Sequence, residues 1–168
     1  MIRKKKLFVK PRKMYEKARI LDENKLVEKY GLKNKREIWK ALAKVNYFRS
    51  RAKVLAKAPL DEQNVLFSKL NSIGLNVKSI ADILALKIEN LLERRLPTIV
   101  YKKSLASSVK QARQMVVHKN ILISGKVINI PSYIVSLEEE NAISARPGKS
   151  KVQKAEANQE IKGGESNG

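Results

Sequence analysis

The chain has 168 residues, 36 Lys/Arg against 16 Asp/Glu, and a formal net charge of +20. That length suits one large domain or two small ones, and charge so far from zero opposes compaction unless a polyanion neutralises it. With no cysteine and one histidine, disulfides, thiolate catalysis, cysteine-ligated metal sites and multi-histidine metal sites are all excluded.

Residues 1–20 are polybasic, with Pro11 and little periodicity, and read as an arm that orders only against a partner. Its start, "MIRKKKLFVKPRK", has no apolar signal core. No stretch approaches the roughly 18 uncharged apolar residues of a membrane span, so the default is a soluble cytoplasmic protein. A helix is predicted over "ILDENKLVEKY", stopping at Gly31. The next starts after Asn34, a suitable N-cap, and ends before Pro59. Its Ile38, Leu42, Val45, Phe48, Ala52 and Leu55 fill an arc of roughly 140° on a helical wheel. Arg36, Lys40, Lys44 and Arg51 gather on the opposite side, with Lys35 beside them at the start. Arg49, Lys53 and Lys57 form a second row at i,i+4 spacing, near Trp39. A solvated helix face usually mixes charge signs, but here only Glu37 offsets the positives, so phosphate contact is the favoured reading.

"DEQNVLFSKLNSIGL", residues 61–75, reads as a further helix that breaks near Gly74. Ile80, Ile83, Leu84, Ile88, Leu91 and Leu92 then recur at helical spacing in a nearly charge-balanced run, read as scaffold. Pro97 suits a first helical position, so "PTIVYKKS" is a short helix. Ser107 or Ser108 caps the next, with Val109, Ala112 and Val116 inward and Lys110, Arg113 and Gln114 outward. Asn120 is its expected stop. "ILISGKVINIP" has strand-forming residues on both sides of Ser124-Gly125, a hairpin in which Leu122 opposes Val127 and Ile121 opposes Ile128. "YIVSL" is expected to add a short strand, with Leu122 in the hairpin core. From Ala142 onward large apolar residues almost vanish, and a disordered tail is expected.

The fold class that follows is α+β, in four parts: a basic arm (1–20), a helical N-terminal domain (21–91), a small helix–helix–hairpin module (92–137) and a disordered tail (138–168). Net charge is +15 over residues 1–57, −1 over 58–91, +7 over 92–137 and −1 over 138–168. Two basic blocks therefore flank a neutral middle. No phosphate-cradling glycine motif is present. "EEE" at 138–140, the one acidic cluster, reads as a solvated turn rather than a metal site. No catalytic residues, metal ligands or cofactor are expected. Aromatic residues are 5% of the chain, which argues against single-strand binding by stacked bases.

Two stretches carry a resemblance. "LERRLPTIVYKKSLASSVKQARQMVVHKNILISGKVINIPSYIVSL" resembles the small RNA-binding module named after the fourth ribosomal protein of the small subunit. "YGLKNKREIWKALAKVNYFRSRAKVLA" resembles the N-terminal domain of that ribosomal protein family in its archaeal and eukaryotic branch, and "ILALKIENLLERRL" its linker. The likeness covers about residues 15 to 137, and two motifs in the expected order make it specific. It implies a structural, ribonucleoprotein role in translation: a primary rRNA-binding protein that nucleates assembly of the small-subunit body. It further implies a position near the path by which mRNA enters, and contacts with neighbouring proteins including the fifth of the small subunit.

Carried over by position, the RNA-binding residues of the module are Arg94, Arg95, Lys110, Arg113, His118 and Lys119. Lys126 in the hairpin and Lys35, Arg36, Lys40, Lys44, Arg49, Arg51 and Lys53 in the N-terminal domain complete the expected RNA-binding set. Ser104, Lys119-Asn120 and Ser124 depart from the pattern, which favours Gly, Gly-His and Asn there. Contacts of residues 1–14 are not carried over, and the zinc site of some bacterial relatives has no cysteines here. An rRNA-processing factor related to this family is the alternative. An RNA-modifying enzyme carrying the module is a distant one, since no segment is large enough for its catalytic domain. A polybasic membrane-surface protein is the remotest.

Overall fold

Among residues 7–146, which the computed structural model describes, eight helices and one small sheet form. Helix α1 (Lys17–Lys29) ends where Gly31 takes the left-handed conformation, φ +57°, which costs glycine nothing and lets the Leu32 N–H reach back to the Val27 carbonyl at 3.0 Å. It begins earlier than its apolar pattern suggests. The Arg19 guanidinium holds the Lys13 and Met14 carbonyls at 2.7 and 2.9 Å, and Phe8 lies 5.9 Å from Trp39, centroid to centroid. The expected arm thus touches its own chain at Phe8 and at residues 13–14 while most of residues 7–16 stay exposed, and residues 1–6 lie outside the described residues.

Helix α2 (Lys35–Leu55) follows Asn34 as expected and buries Ile38, Val45, Phe48, Ala52 and Leu55, whereas Leu42, assigned to the same arc, is exposed. α3 (Leu60–Ser72) stops before Gly74, φ +87°. The amphipathic run expected from Ile80 to Leu92 is two helices, α4 (Ile80–Ala85) and α5 (Ile88–Glu93). The break falls at Leu86, whose ψ of 130° leaves the helical region, and α5 restarts after Lys87. Ile83, Leu86 and Leu91 enter a cluster with Val45, Phe48 and Leu70, while Leu92 enters a second one with Tyr30, Leu32 and Ile38. Ser79 and Asp82 form a capping box that starts α4, and the Asn90 side chain accepts from the Lys87 N–H at the start of α5.

The rest of the chain builds a third cluster. α6 (Leu96–Lys102) carries Pro97 in its first turn, and α7 (Val109–Val117) is capped by the Ser108 hydroxyl, which accepts from the Gln111 N–H at 3.2 Å. Strands β1 (Ile121–Ile123) and β2 (Lys126–Val127) pair in the expected register, Leu122 opposite Val127, with the Ile128 N–H on the Ile121 carbonyl. Ser124 and Gly125 both have positive φ, +48° and +77°, as a type I′ hairpin turn requires. The inward residues of β1 are Ile121 and Ile123, fully buried against Leu96, Ile99, Val100 and Val116. Leu122 points to the other face and is only half-buried, because side chains alternate along a strand. The expectation that Leu122 forms the hairpin core is corrected accordingly.

The third strand is not "YIVSL". That segment runs along residues 94–96 instead, with Ile134 bridging Arg95, the Leu96 N–H on the Tyr133 carbonyl and the Val135 N–H on the Arg94 carbonyl. β1 pairs with β3 (Ile143–Ala145), giving an antiparallel sheet of order β2-β1-β3. The stretch expected to be tail therefore begins with helix α8 (Leu137–Asn141) and β3, anchored by buried Ile143. The glutamates at 138–140 form the first turn of α8 rather than a loose turn. Residues 147–168, the remainder of the expected tail, lie outside the described residues. The observed class is α+β, mostly helical with one three-stranded sheet, and no described helix is long and apolar enough to cross a membrane.

Candidate nucleic-acid interface

The exposed side of α2 presents Arg36, Lys40, Lys44 and Arg51, with Tyr47 between the last two. Steps of three and four residues put all five on one face. None of the four cations makes an ion pair or a hydrogen bond among the described residues. Lys69 of α3 faces the same region. Partial desolvation of the otherwise exposed Lys44 ammonium and the nearby Lys69 charge push the Lys44 pKa below the usual lysine value. A cluster of unpaired like charges costs folding free energy, and an anion placed there recovers it. Lys53 is also exposed and unpaired.

Other expected contacts are spent inside the protein. Glu37, on α2, accepts from Arg95 Nη2 at 2.6 Å and from Arg113 Nη2 and Nη1 at 2.7 and 3.0 Å. Arg95 is buried and also donates to the Pro131 carbonyl through Nε and Nη2. Burial raises the Glu37 carboxyl, but hydrogen bonds from Arg113 and Arg95 and their charges outweigh it, leaving the group below the usual carboxylate range. Arg94 donates to Glu140 at 2.7 Å and to the Val135 carbonyl at 3.1 Å. Its guanidinium fills the space over Gly74, where a Cβ would come within 2.8 Å of it. Arg49 caps the Leu86 carbonyl at 2.7 Å, and Lys35 lies 3.6 Å from buried Glu23, which Arg19 and Trp39 also hold. Five of the expected cations, Lys35, Arg49, Arg94, Arg95 and Arg113, thus knit elements together in the isolated chain.

The remaining module positions make no ion pair among the described residues. Lys110 is exposed on the first turn of α7, and the backbone of Val109 and Lys110 packs within about 3.3 Å of where a Gly31 Cβ would stand. This abutment brings Lys110 next to the α1–α2 junction. His118 and Lys119 are exposed at the other end of α7, about 13 Å along its axis, and Lys126 is exposed on β2. The structure thus separates a stripe on α2 from a second group at the α7–hairpin end. The sequence reading missed Lys69 and Tyr47. Neither carries a local signal: Lys69 joins the stripe through the packing of α3 on α2, and Tyr47 is a single aromatic among charges.

Comparisons with known proteins match the C-terminal module and, at full length, most of the chain. A family model described as the S4 domain matches residues 94–141. "Small ribosomal subunit protein uS4" of Methanococcus aeolicus is 47% identical over 136 residues, covering 77% of this chain and 77% of that protein. The protein of the same name from Ignicoccus hospitalis is 41% identical over 160 residues, covering 88% of this chain and 96% of the other. That from Hyperthermus butylicus is 40% identical over 149 residues, with 85% of each chain covered.

Proposed function

From the premise that the chain belongs to the uS4 family of small ribosomal subunit proteins, we propose that it is a primary rRNA-binding protein which nucleates assembly of the small-subunit body. Its role is structural rather than catalytic, exercised on the ribosome in the cytoplasm. It binds a junction of several rRNA helices, adjoins neighbouring small-subunit proteins including the fifth, and lies near the path by which mRNA enters. The observation that carries the reading is the stripe of Arg36, Lys40, Lys44 and Arg51, exposed on one face of α2 and without an acidic partner among the described residues. Folded RNA is recognised by shape and by phosphate and 2′-OH contacts, and arginine forks and lysine point charges suit phosphate. Lys53, Lys110, His118, Lys119 and Lys126 extend the contact surface.

The test is binding of the full chain to small-subunit rRNA across a salt series, with excess tRNA as competitor. Replacing Arg36, Lys40, Lys44 and Arg51 by Ala should flatten the salt dependence by roughly 0.7–0.9 log units of slope per lost phosphate contact. Chemical footprints should fall on one multi-helix junction. Protection that spreads over the RNA and is competed away by tRNA would overturn the reading in favour of an assembly-time factor or a generic polyanion binder.

A further inference from the structure

A cleft of about 680 Å³ opens between the basic face of α2 and the segment that follows the hairpin. Its wall is apolar where Ala41, Ala43, Leu91 and Ile134 meet. Tyr47, 61% exposed, stands on its edge beside Lys40 and Lys44. We infer that this cleft takes up the base of one unstacked rRNA nucleotide, whose flanking phosphates meet Lys40 and Lys44. The inference rests on the rRNA-binding reading above and assigns it a specific pocket.

The distribution of charge selects this occupant. The cations lining the inner part, Arg95 and Arg113, are already hydrogen-bonded to Glu37 and, for Arg95, to Pro131. The unpaired cations, Lys40 and Lys44, are exposed. A ligand that fits is therefore anionic outside and neutral and apolar inside, which describes a nucleotide entering base first. An acidic peptide would have to bring carboxylates against an apolar wall, at the cost of their desolvation. A purely apolar segment would leave the two lysines unused. The volume lies in the range of small-molecule sites, about 300–1,000 Å³, and unstacked RNA bases characteristically settle on aromatic rings and guanidinium planes. Tyr47 supplies the ring, and the Arg95 and Arg113 guanidiniums, held in place by Glu37, line the same space.

The probe is an in vitro transcript of the small-subunit rRNA bound by the full chain in the presence of excess tRNA. Ultraviolet crosslinking followed by mass spectrometry should yield an adduct on the Tyr47 peptide that maps to one nucleotide. Tyr47→Ala should weaken binding roughly 5- to 100-fold, while Tyr47→Phe, which keeps the ring, should stay within about twofold of the native chain. Ala43→Leu, which fills the cleft, should weaken binding as well. Neither Tyr47→Ala nor Ala43→Leu should change the salt slope, because no phosphate contact is removed. Because Tyr47 is exposed, its loss leaves the core intact, and far-UV circular dichroism checks this. Native binding by Tyr47→Ala and Ala43→Leu, with Lys40→Ala and Lys44→Ala still flattening the salt slope, would overturn the pocket and leave the rRNA reading standing. Absence of junction-specific binding by the native chain would overturn both.

Discussion

Glu37 offers the sharpest test of how the two basic blocks are joined. Glu37→Gln keeps the shape of the side chain and one acceptor oxygen but removes the charge that Arg95 and Arg113 share. The three side chains are 19%, 8% and 20% exposed, so little water is available to replace the lost partner. Removing one member of a buried ion pair costs about 3–5 kcal/mol. The retained acceptor and residual exposure reduce the expected loss to about 2–3 kcal/mol at pH 7. The pH dependence fixes the cause. The folded-state pKa of Glu37 is lowered, so its contribution is fully present above the unfolded carboxylate pKa and is lost as pH falls through the lower folded value. Urea denaturation followed by circular dichroism should therefore separate the variant from the native chain at pH 7 and bring the two together as the pH falls below the ordinary carboxylate range. A difference below about 0.5 kcal/mol at neutral pH, within the scatter of ordinary surface substitutions, would refute the clamp. So would a gap that persists undiminished in acid. Tighter rRNA binding by the variant would show that Arg95 and Arg113 serve the RNA and that Glu37 merely withholds them.

Three further outcomes follow from the same geometry. Arg94→Ala should destabilise the chain by about 2–4 kcal/mol in urea melts, by leaving Glu140 and the space over Gly74 without a partner, and should change the rRNA salt slope less than Lys44→Ala does. Ile121→Ala should cost about 2–4 kcal/mol while Leu122→Ala costs about 1 kcal/mol, a contrast that thermal and urea denaturation read directly and that reverses if β1 is shifted by one residue. Ser104 holds φ +57° without being glycine, so Ser104→Gly should raise stability by about 0.5–1 kcal/mol in the same assay.

The helices were legible where an apolar stripe and its end signals agreed. α2, α3 and α7 follow from periodicity and caps because each packs one face on its neighbours. The single helix expected over residues 80–92 failed because the apolar spacing runs on across Leu86, where the backbone leaves the helical region, and periodicity does not register such a break. β3 escaped because Ile143–Ala145 is three residues with one large apolar side chain, and its pairing with β1 is a long-range event. In the candidate site, composition and charge runs located the basic surface but not its division of labour. A sequence shows that Arg94, Arg95 and Arg113 are cations; only the fold shows that Glu37 and Glu140 stand opposite them. Glu37 read as the lone offset of a positive face, whereas it is the residue on which the module is fastened.

The placement of β3 also has a consequence for synthesis. A chain leaves the ribosome N-terminus first, so Ile121 and Ile123 emerge well before the strand that pairs with them. Until Ile143 and Ala145 arrive, β1 has one unpaired edge and the nascent module cannot close. A product truncated between Asn129 and Asn141 would carry the free cations of α2, Lys110 and Lys126 on an unfinished sheet, able to attract RNA and equally able to pair its open edge with another chain. The charge that attracts RNA is thus on the chain before β3 covers the open edge of β1, so closure of the sheet lags the appearance of the binding surface.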